Sequence, residues 1–284
     1  MIINQSFKMV LLACVLLLSG CASQPELGET NTITPIAQLL KQGEHNLQSK
    51  KYAAAIFHYR QALDQEPQNI SALLGLADAN LAINNLAEAN KYYEQGLTNA
   101  PDNIHAAEGK ALIYFKIHDH ERAKQQLAEV LKKDNTRWRS WSALGIIADL
   151  EGSHKAAQQY FKKALNIDKT NVTILNNLGY SLLMSHQYKA AEKVFREGLS
   201  YEPDFFRIRN NLAISLAFQS RYDDAISVLI KVVKHEVAYN NIGYIAMLNK
   251  EYLVAKKFFE KAISLSPSYY LRADRNLEKL KSLM

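Results

Sequence analysis

Residues 172–205 read VTILNNLGYSLLMSHQYKAAEKVFREGLSYEPDF. The stretch reads as two antiparallel helices. Small residues stand at Gly179 and Ala191, an aromatic at Phe195 and a proline at Pro203. The same marks recur in both directions at a 34-residue spacing. With Ile36 as position 1, position 20 falls on Ala55, Ala89, Ala123, Ala157, Ala191 and Ala225. Position 8 gives Gly43, Ala77, Ala111, Gly145, Gly179 and Ala213, and position 24 gives Tyr59, Tyr93, Leu127, Phe161, Phe195 and Leu229. Position 32 holds Pro67, Pro101 and Pro203, but Asn135 and Lys169 in the third and fourth units.

The sixth unit is four residues short, and restarting at Glu236 restores the marks at Tyr239, Ile242, Gly243, Ala255, Phe259, Ala262 and Pro267. Seven units follow: 36–69, 70–103, 104–137, 138–171, 172–205, 206–235 and 236–269. Residues 270–284 form an amphipathic helix that caps the array. Small residues let the paired helices approach closely, and the aromatic is expected to fill the space against the next unit. Proline ends the second helix. No unit buries its apolar face alone, so neighbours must stack. The pattern resembles the tetratricopeptide repeat. That resemblance implies an all-α fold, a right-handed superhelical solenoid of about seven repeats with a C-terminal capping helix. It also implies that positions 2, 5, 9 and 12 of each first helix line the inner, concave wall.

The N-terminus reads as an address. Lys8 precedes the ten-residue apolar run Met9 to Leu18, half the length a membrane-spanning helix requires. Leu18-Ser19-Gly20-Cys21 resembles the lipobox of bacterial lipoproteins, which implies a signal peptide over 1–20 and lipidation at Cys21. Two or more acyl chains anchor stably. Ala22 stands where aspartate would retain many Gram-negative lipoproteins in the inner membrane, so the expected address is the outer membrane, facing the periplasm. Residues 21–35 form the lipidated cysteine and a flexible polar tether.

Net charge is +6, or about +5 without Lys8, and it is spread along the chain rather than clustered. No run of five basic residues occurs, which argues against nucleic-acid binding. Beyond Cys21 there is no cysteine, hence no disulfide framework, thiolate zinc site or cysteine nucleophile. Phosphate-loop, HExxH and GxSxG motifs are missing too, and the reading is a non-enzyme without cofactor, metal or small-molecule substrate. His118 and His120 read as exposed turn histidines, and Trp141 as a packing residue.

Repeats five to seven begin NNLGY (176–180), NNLAI (210–214) and NNIGY (240–244). Asn177, Asn211 and Asn241, at position 6, are assigned to scaffold hydrogen bonds. Asn176, Asn210 and Asn240, at position 5, form a candidate ladder of amides for the backbone of an extended peptide. Two readings stay open for this ladder: it binds a peptide, or its amides are merely solvated or bond to one another. Tyr180 and Tyr244 at position 9 and Arg207 at position 2 extend the same wall. Position 5 is mixed earlier, with Leu40, Leu74, Glu108 and Ser142, and Lys110 marks the third repeat as the place where the array bends or opens a contact surface.

The C-terminal half, LNNLGYSLLMSHQYKAAEKVFREGLSYEPDFFRIRNNLAISLAFQSRYDDAISVL followed by AYNNIGYIAMLNKEYLVAKKFFEKAISLSPSYYLRADRNLEKL, resembles the TadD lipoproteins of the tight-adherence (Tad, Flp pilus) system. The likeness covers most of 22–284 and includes the short sixth repeat and the SPSYY ending. It implies a scaffold lipoprotein in pilus assembly, whose partner is the secretin channel or another assembly component. Two rival readings share the architecture: a type IV pilus pilotin that guides a secretin, and an adaptor that recruits periplasmic peptidoglycan hydrolases or proteases.

Overall fold

Each repeat turns its chain at one residue in the left-handed region. In the computed structural model, which describes residues 34–284, these are Lys50, Asn84, His118, Gly152, His186, Ser220 and Lys250, with φ between 58° and 75°. All seven occupy position 15. In each turn the next residue's N–H donates back five residues, as Lys51 to the Asn46 carbonyl at 2.8 Å and Gln187 to that of Leu182 at 2.9 Å. That six-to-one bond closes a Schellman motif, which satisfies the last carbonyls of the first helix. Glycine carries this conformation without a Cβ clash, yet only Gly152 is glycine.

The turns join helix pairs: α1 (Ile36–Gln48) with α2 (Tyr52–Gln65), α3 (Ile70–Ala82) with α4 (Leu86–Asn99), and α5 (Ile104–Lys116) with α6 (His120–Lys133). Next come α7 (Trp138–Leu150) with α8 (His154–Ile167), and α9 (Val172–Met184) with α10 (Tyr188–Tyr201). Last are α11 (Phe206–Ala217) with α12 (Tyr222–Leu229), α13 (His235–Leu248) with α14 (Tyr252–Leu265), and the single helix α15 (Leu271–Lys281). The described residues contain no strand, and no helix among them is long and apolar enough to cross a membrane. Asn69, Asn103 and Asn171 cap α3, α5 and α9, each accepting from a backbone N–H three residues on.

Successive first helices pack backbone to backbone from α1 through α15, whereas no two second helices among the described residues come that close, and the Tyr222 and Phe258 rings, edge to face at 5.8 Å, reach between α12 and α14 by side chain alone. The first helices therefore crowd on the inner side of the stack and the second helices splay on the outer side. This makes an all-helical solenoid with a concave wall built from the first helices.

The position-24 rings account for the small residues of the first helices. A Cβ on Gly179 would lie 2.3 Å from Phe195, one on Gly145 2.6 Å from Phe161, and one on Gly243 3.0 Å from Phe259. These rings therefore sit on position 8 of their own repeat as well. Tyr59 does both: it lies under Gly43 and under Gly75, position 6 of the following repeat. Tyr93 reaches forward to Gly109 in the same way. Ala191 and its position-20 equivalents are fully buried at the helix crossings.

The sixth repeat is short because α12 has 8 residues where the other second helices have 14. After Leu229 the chain turns tightly, with Val232 and Val233 donating to the Leu229 carbonyl, and α13 begins at once. At the far end α15 takes the place of an eighth first helix. Its Ala273 and Leu280 are buried, and Asn276 falls in register with the position-6 asparagines.

Candidate peptide-binding surface

Side chains four residues apart on a helix share a face. On the inner wall that face carries positions 5, 9 and 13. Position 12 was expected there, but Leu81, Leu183, Ala217 and Met247 are buried beneath the wall, and position 13 takes their place. From α7 onward, positions 9 and 13 are apolar: Ile146 and Leu150, Tyr180 and Met184, Ile214 and Phe218, Tyr244 and Leu248. Leu150 is 65% exposed and Leu248 51%. Tyr180, Met184 and Tyr244 are also exposed. Aliphatic and aromatic groups held in water on a rigid wall mark a contact surface rather than a core.

Two hollows open along this tier. One, about 490 Å³, lies over α11, α13 and α15, lined by Asn210, Ile214 and Phe218, by Asn240, Tyr244 and Leu248, and by Arg272 and Asn276. The other, about 330 Å³, lies over α7 and α9, lined by Ile146, Leu150, Asn177, Tyr180 and Met184. The Lys279 ammonium stands 5.9 Å from the centre of the Tyr244 ring, within cation–π reach.

The asparagines are not a free ladder. Asn211 donates to the Asn176 side-chain oxygen at 3.0 Å, and Asn276 donates to that of Asn240 at 2.9 Å. Position 6 of one unit thus clamps position 5 of the unit before it. Asn240 is 2% exposed, so its amide belongs to the scaffold. The expectation that all three amides face solvent is corrected for Asn176 and Asn240, whose partners lie a full repeat away. Asn210 makes no side-chain hydrogen bond among the described residues and lines the larger hollow. Arg207, one turn before it, is exposed. Cys21 lies outside the described residues.

The N-terminal half of the wall has different chemistry. Asp78, at position 9 of repeat two, accepts from the Tyr93 hydroxyl at 2.5 Å and lies 2.9 Å from His105 Nε2, with Arg139 3.9 Å away. Burial alone would raise the Asp78 carboxyl. The hydrogen bond and charge of His105, the Tyr93 hydroxyl and the Arg139 charge together outweigh it and hold the group below the usual carboxylate range. The same arrangement, with burial first, pushes the Tyr93 hydroxyl far up. Glu108, 4% exposed, accepts from the backbone N–H and hydroxyl of Ser140 at 3.1 and 2.8 Å and faces Arg137 at 3.6 Å. These carboxylates are spent on joining repeats. Lys110 pairs with Glu94 of the preceding repeat at 3.1 Å, so it ties two units together at the place read as a bend or an opened contact surface. Trp141 stacks on Tyr160 and donates to the Asn135 carbonyl at 2.8 Å. His118 forms the repeat-three turn, and His120 stacks on Phe115.

A family profile described as cilia and flagella-associated protein 70 C-terminal domain matches residues 14–241, and one described as tetratricopeptide repeat matches residues 237–269. The chain belongs to this family of tetratricopeptide-repeat proteins, and it is a scaffold for protein–protein interaction. No curated protein matches it in sequence. Among solved structures it is similar to a tetratricopeptide repeat protein from Parabacteroides merdae, at 19% identity over 87% of this chain and 98% of that one, with a TM-score of 0.51. It is also similar to the C-terminal part of a repeat protein from Cytophaga hutchinsonii, at 18% identity over 84% and 99%, TM-score 0.58. PilF from Pseudomonas aeruginosa aligns at 16% identity over 88% and 97%, TM-score 0.53. Identities this low speak to the fold alone.

Proposed function

We propose that this chain is an outer-membrane lipoprotein, fixed through Cys21 on the periplasmic side, that supports assembly of a Tad/Flp-type pilus by binding the secretin or a protein that assembles with it. The observation that carries the binding role is the exposed apolar tier on the inner wall of repeats four to seven, from Leu150 to Leu248. What supports the address is the Leu18–Cys21 tetrad and the likeness of the C-terminal half to TadD lipoproteins.

The test places a photo-crosslinking residue at Leu248 or Met184 on the inner wall, and at the exposed Leu253 of α14 as the outer control. Crosslinked envelopes should give adducts with secretin or pilus-assembly proteins from the two inner positions and none from the outer one. Adducts from Leu253 alone, or from no position, would overturn the assignment. Cys21→Ser should abolish labelling by a fatty acid; unchanged labelling would remove the anchor.

A further inference from the structure

The last hollow of the wall is organised in three tiers across α11, α13 and α15. Arg207 and Arg272 are each the second residue of their helix, α11 and α15, with Val237 between them on α13. The middle tier is amide, with Asn210 free to bond. The far tier is apolar: Ile214, Phe218, Tyr244 and Leu248.

The arginines of the array differ in how they are paired. Arg122, Arg137, Arg139, Arg196, Arg209 and Arg221 each pair with a carboxylate. Arg207 and Arg272 form no ion pair among the described residues; Arg272 lines the hollow, Arg207 is exposed one turn before its lining residue Asn210, and no carboxylate lines it. A ligand laid across the three helices therefore meets two arginines without an ion-pair partner along one edge, where the charges of Arg272 and Glu236 both reach Tyr270, and along the other an exposed apolar surface with the Lys279 ammonium over Tyr244.

An extended strand fits that layout because its successive side chains point to opposite sides. With its backbone over the asparagine tier, one set of side chains reaches the arginines and the alternate set reaches the apolar tier. We infer that the segment recognised by α11, α13 and α15 is an extended stretch of a partner protein in which acidic and large apolar residues alternate. This rests on the assignment of the inner wall as the partner site and adds the chemistry of the partner.

The probe is a fluorescent peptide of about ten residues alternating glutamate with leucine, titrated by anisotropy against the full chain in detergent. Two controls are a peptide of the same composition with its glutamates and leucines in separate blocks, and a lysine–leucine alternate. The alternating acidic peptide should bind tightest, and the lysine peptide should not saturate. The double variant Arg207→Gln/Arg272→Gln should weaken binding by about fivefold, the scale of two exposed ion pairs, and higher salt should do the same in wild type. Melting of the variant should match wild type, because neither arginine holds a structural partner. Equal binding of the alternating and block peptides, or indifference to the double substitution, would overturn the inference. If Leu248 crosslinks a partner while the alternating peptide gains nothing over its controls, this inference alone fails. If inner positions crosslink nothing and the peptide does not bind, the partner wall fails with it.

Discussion

The two halves of the array obey one scaffold and differ in what they do with polar groups. Before Ala148 the core falls into three separate apolar clusters, and between repeats lie Asp78 with His105 and Glu108 with Ser140. From Ala148 to Leu280 one apolar cluster runs unbroken through the last repeats and the cap. There the joining bonds on the inner wall fall to the asparagine pairs Asn211–Asn176 and Asn276–Asn240, and positions 9 and 13 expose an apolar tier. A repeat that clamps its neighbour with wall residues has spent them. A repeat whose joining is done at positions 5 and 6, with Phe195 or Phe259 filling its interior, keeps positions 9 and 13 for a partner.

The difference is broken most directly at Phe195, which is fully buried. Phe195→Ala should cost about 3–5 kcal/mol. Because the cluster is continuous, amide exchange should rise across the whole 148–280 block while residues before it stay protected. Exchange confined to repeat five would show that the block is not one unit.

In the N-terminal half, Asp78→Ala should cost about 2–3 kcal/mol at neutral pH by stranding the Tyr93 hydroxyl and His105. The wild-type carboxyl titrates lower folded than unfolded. Its contribution is therefore complete above the ordinary aspartate value of about 4 and disappears as pH falls through the folded value. Melting curves below about pH 4 should show the N-terminal half losing stability first. Asp78→Ala should remove that acid step; an unchanged step would assign it to other carboxylates.

The turns sharpen what the halves share. Gly152→Ala should cost about 1–2 kcal/mol at a left-handed position, and His118→Gly should recover a similar amount. Thermal melts of both variants decide it, and two null shifts would mean that the turn residues relax freely. The smallest effect separates the asparagines. Asn240→Ala should cost about 0.5–1.5 kcal/mol through its lost bond with Asn276, whereas Asn210→Ala should leave melting unchanged and weaken peptide capture. Equal stability losses at both would make Asn210 a scaffold residue as well.

The helical array was legible because Ala191, Gly179 and Phe195 repeat with their equivalents at fixed spacing, and close packing tolerates few substitutes there. The turns were not, since six of the seven left-handed residues are Lys, Asn, His or Ser, types that occur freely elsewhere. The clamps of Asn176 and Asn240 were hidden for a different reason. Their acceptor atoms meet donors 35 and 36 residues downstream, and only the stacking of one repeat on the next decides which amide is spent. The apolar tier escaped notice at position 13 because Met184, Phe218 and Leu248 look like ordinary core in a linear reading.

Among the described residues the backbone of every helix packs only against its next and next-but-one neighbours, and the Arg139–Asp78 pair reaches further, from α7 to α3, by side chain alone. For a chain emerging from one end, this sets the order of events. Loop closure between such near partners is fast and entropically light, so folding speed is governed by local steps rather than by distant encounters. A first helix can settle as soon as its own second helix and the following first helix have appeared. The array can therefore assemble vectorially, each unit templating the next, with no segment held open to await a partner from the far end of the sequence.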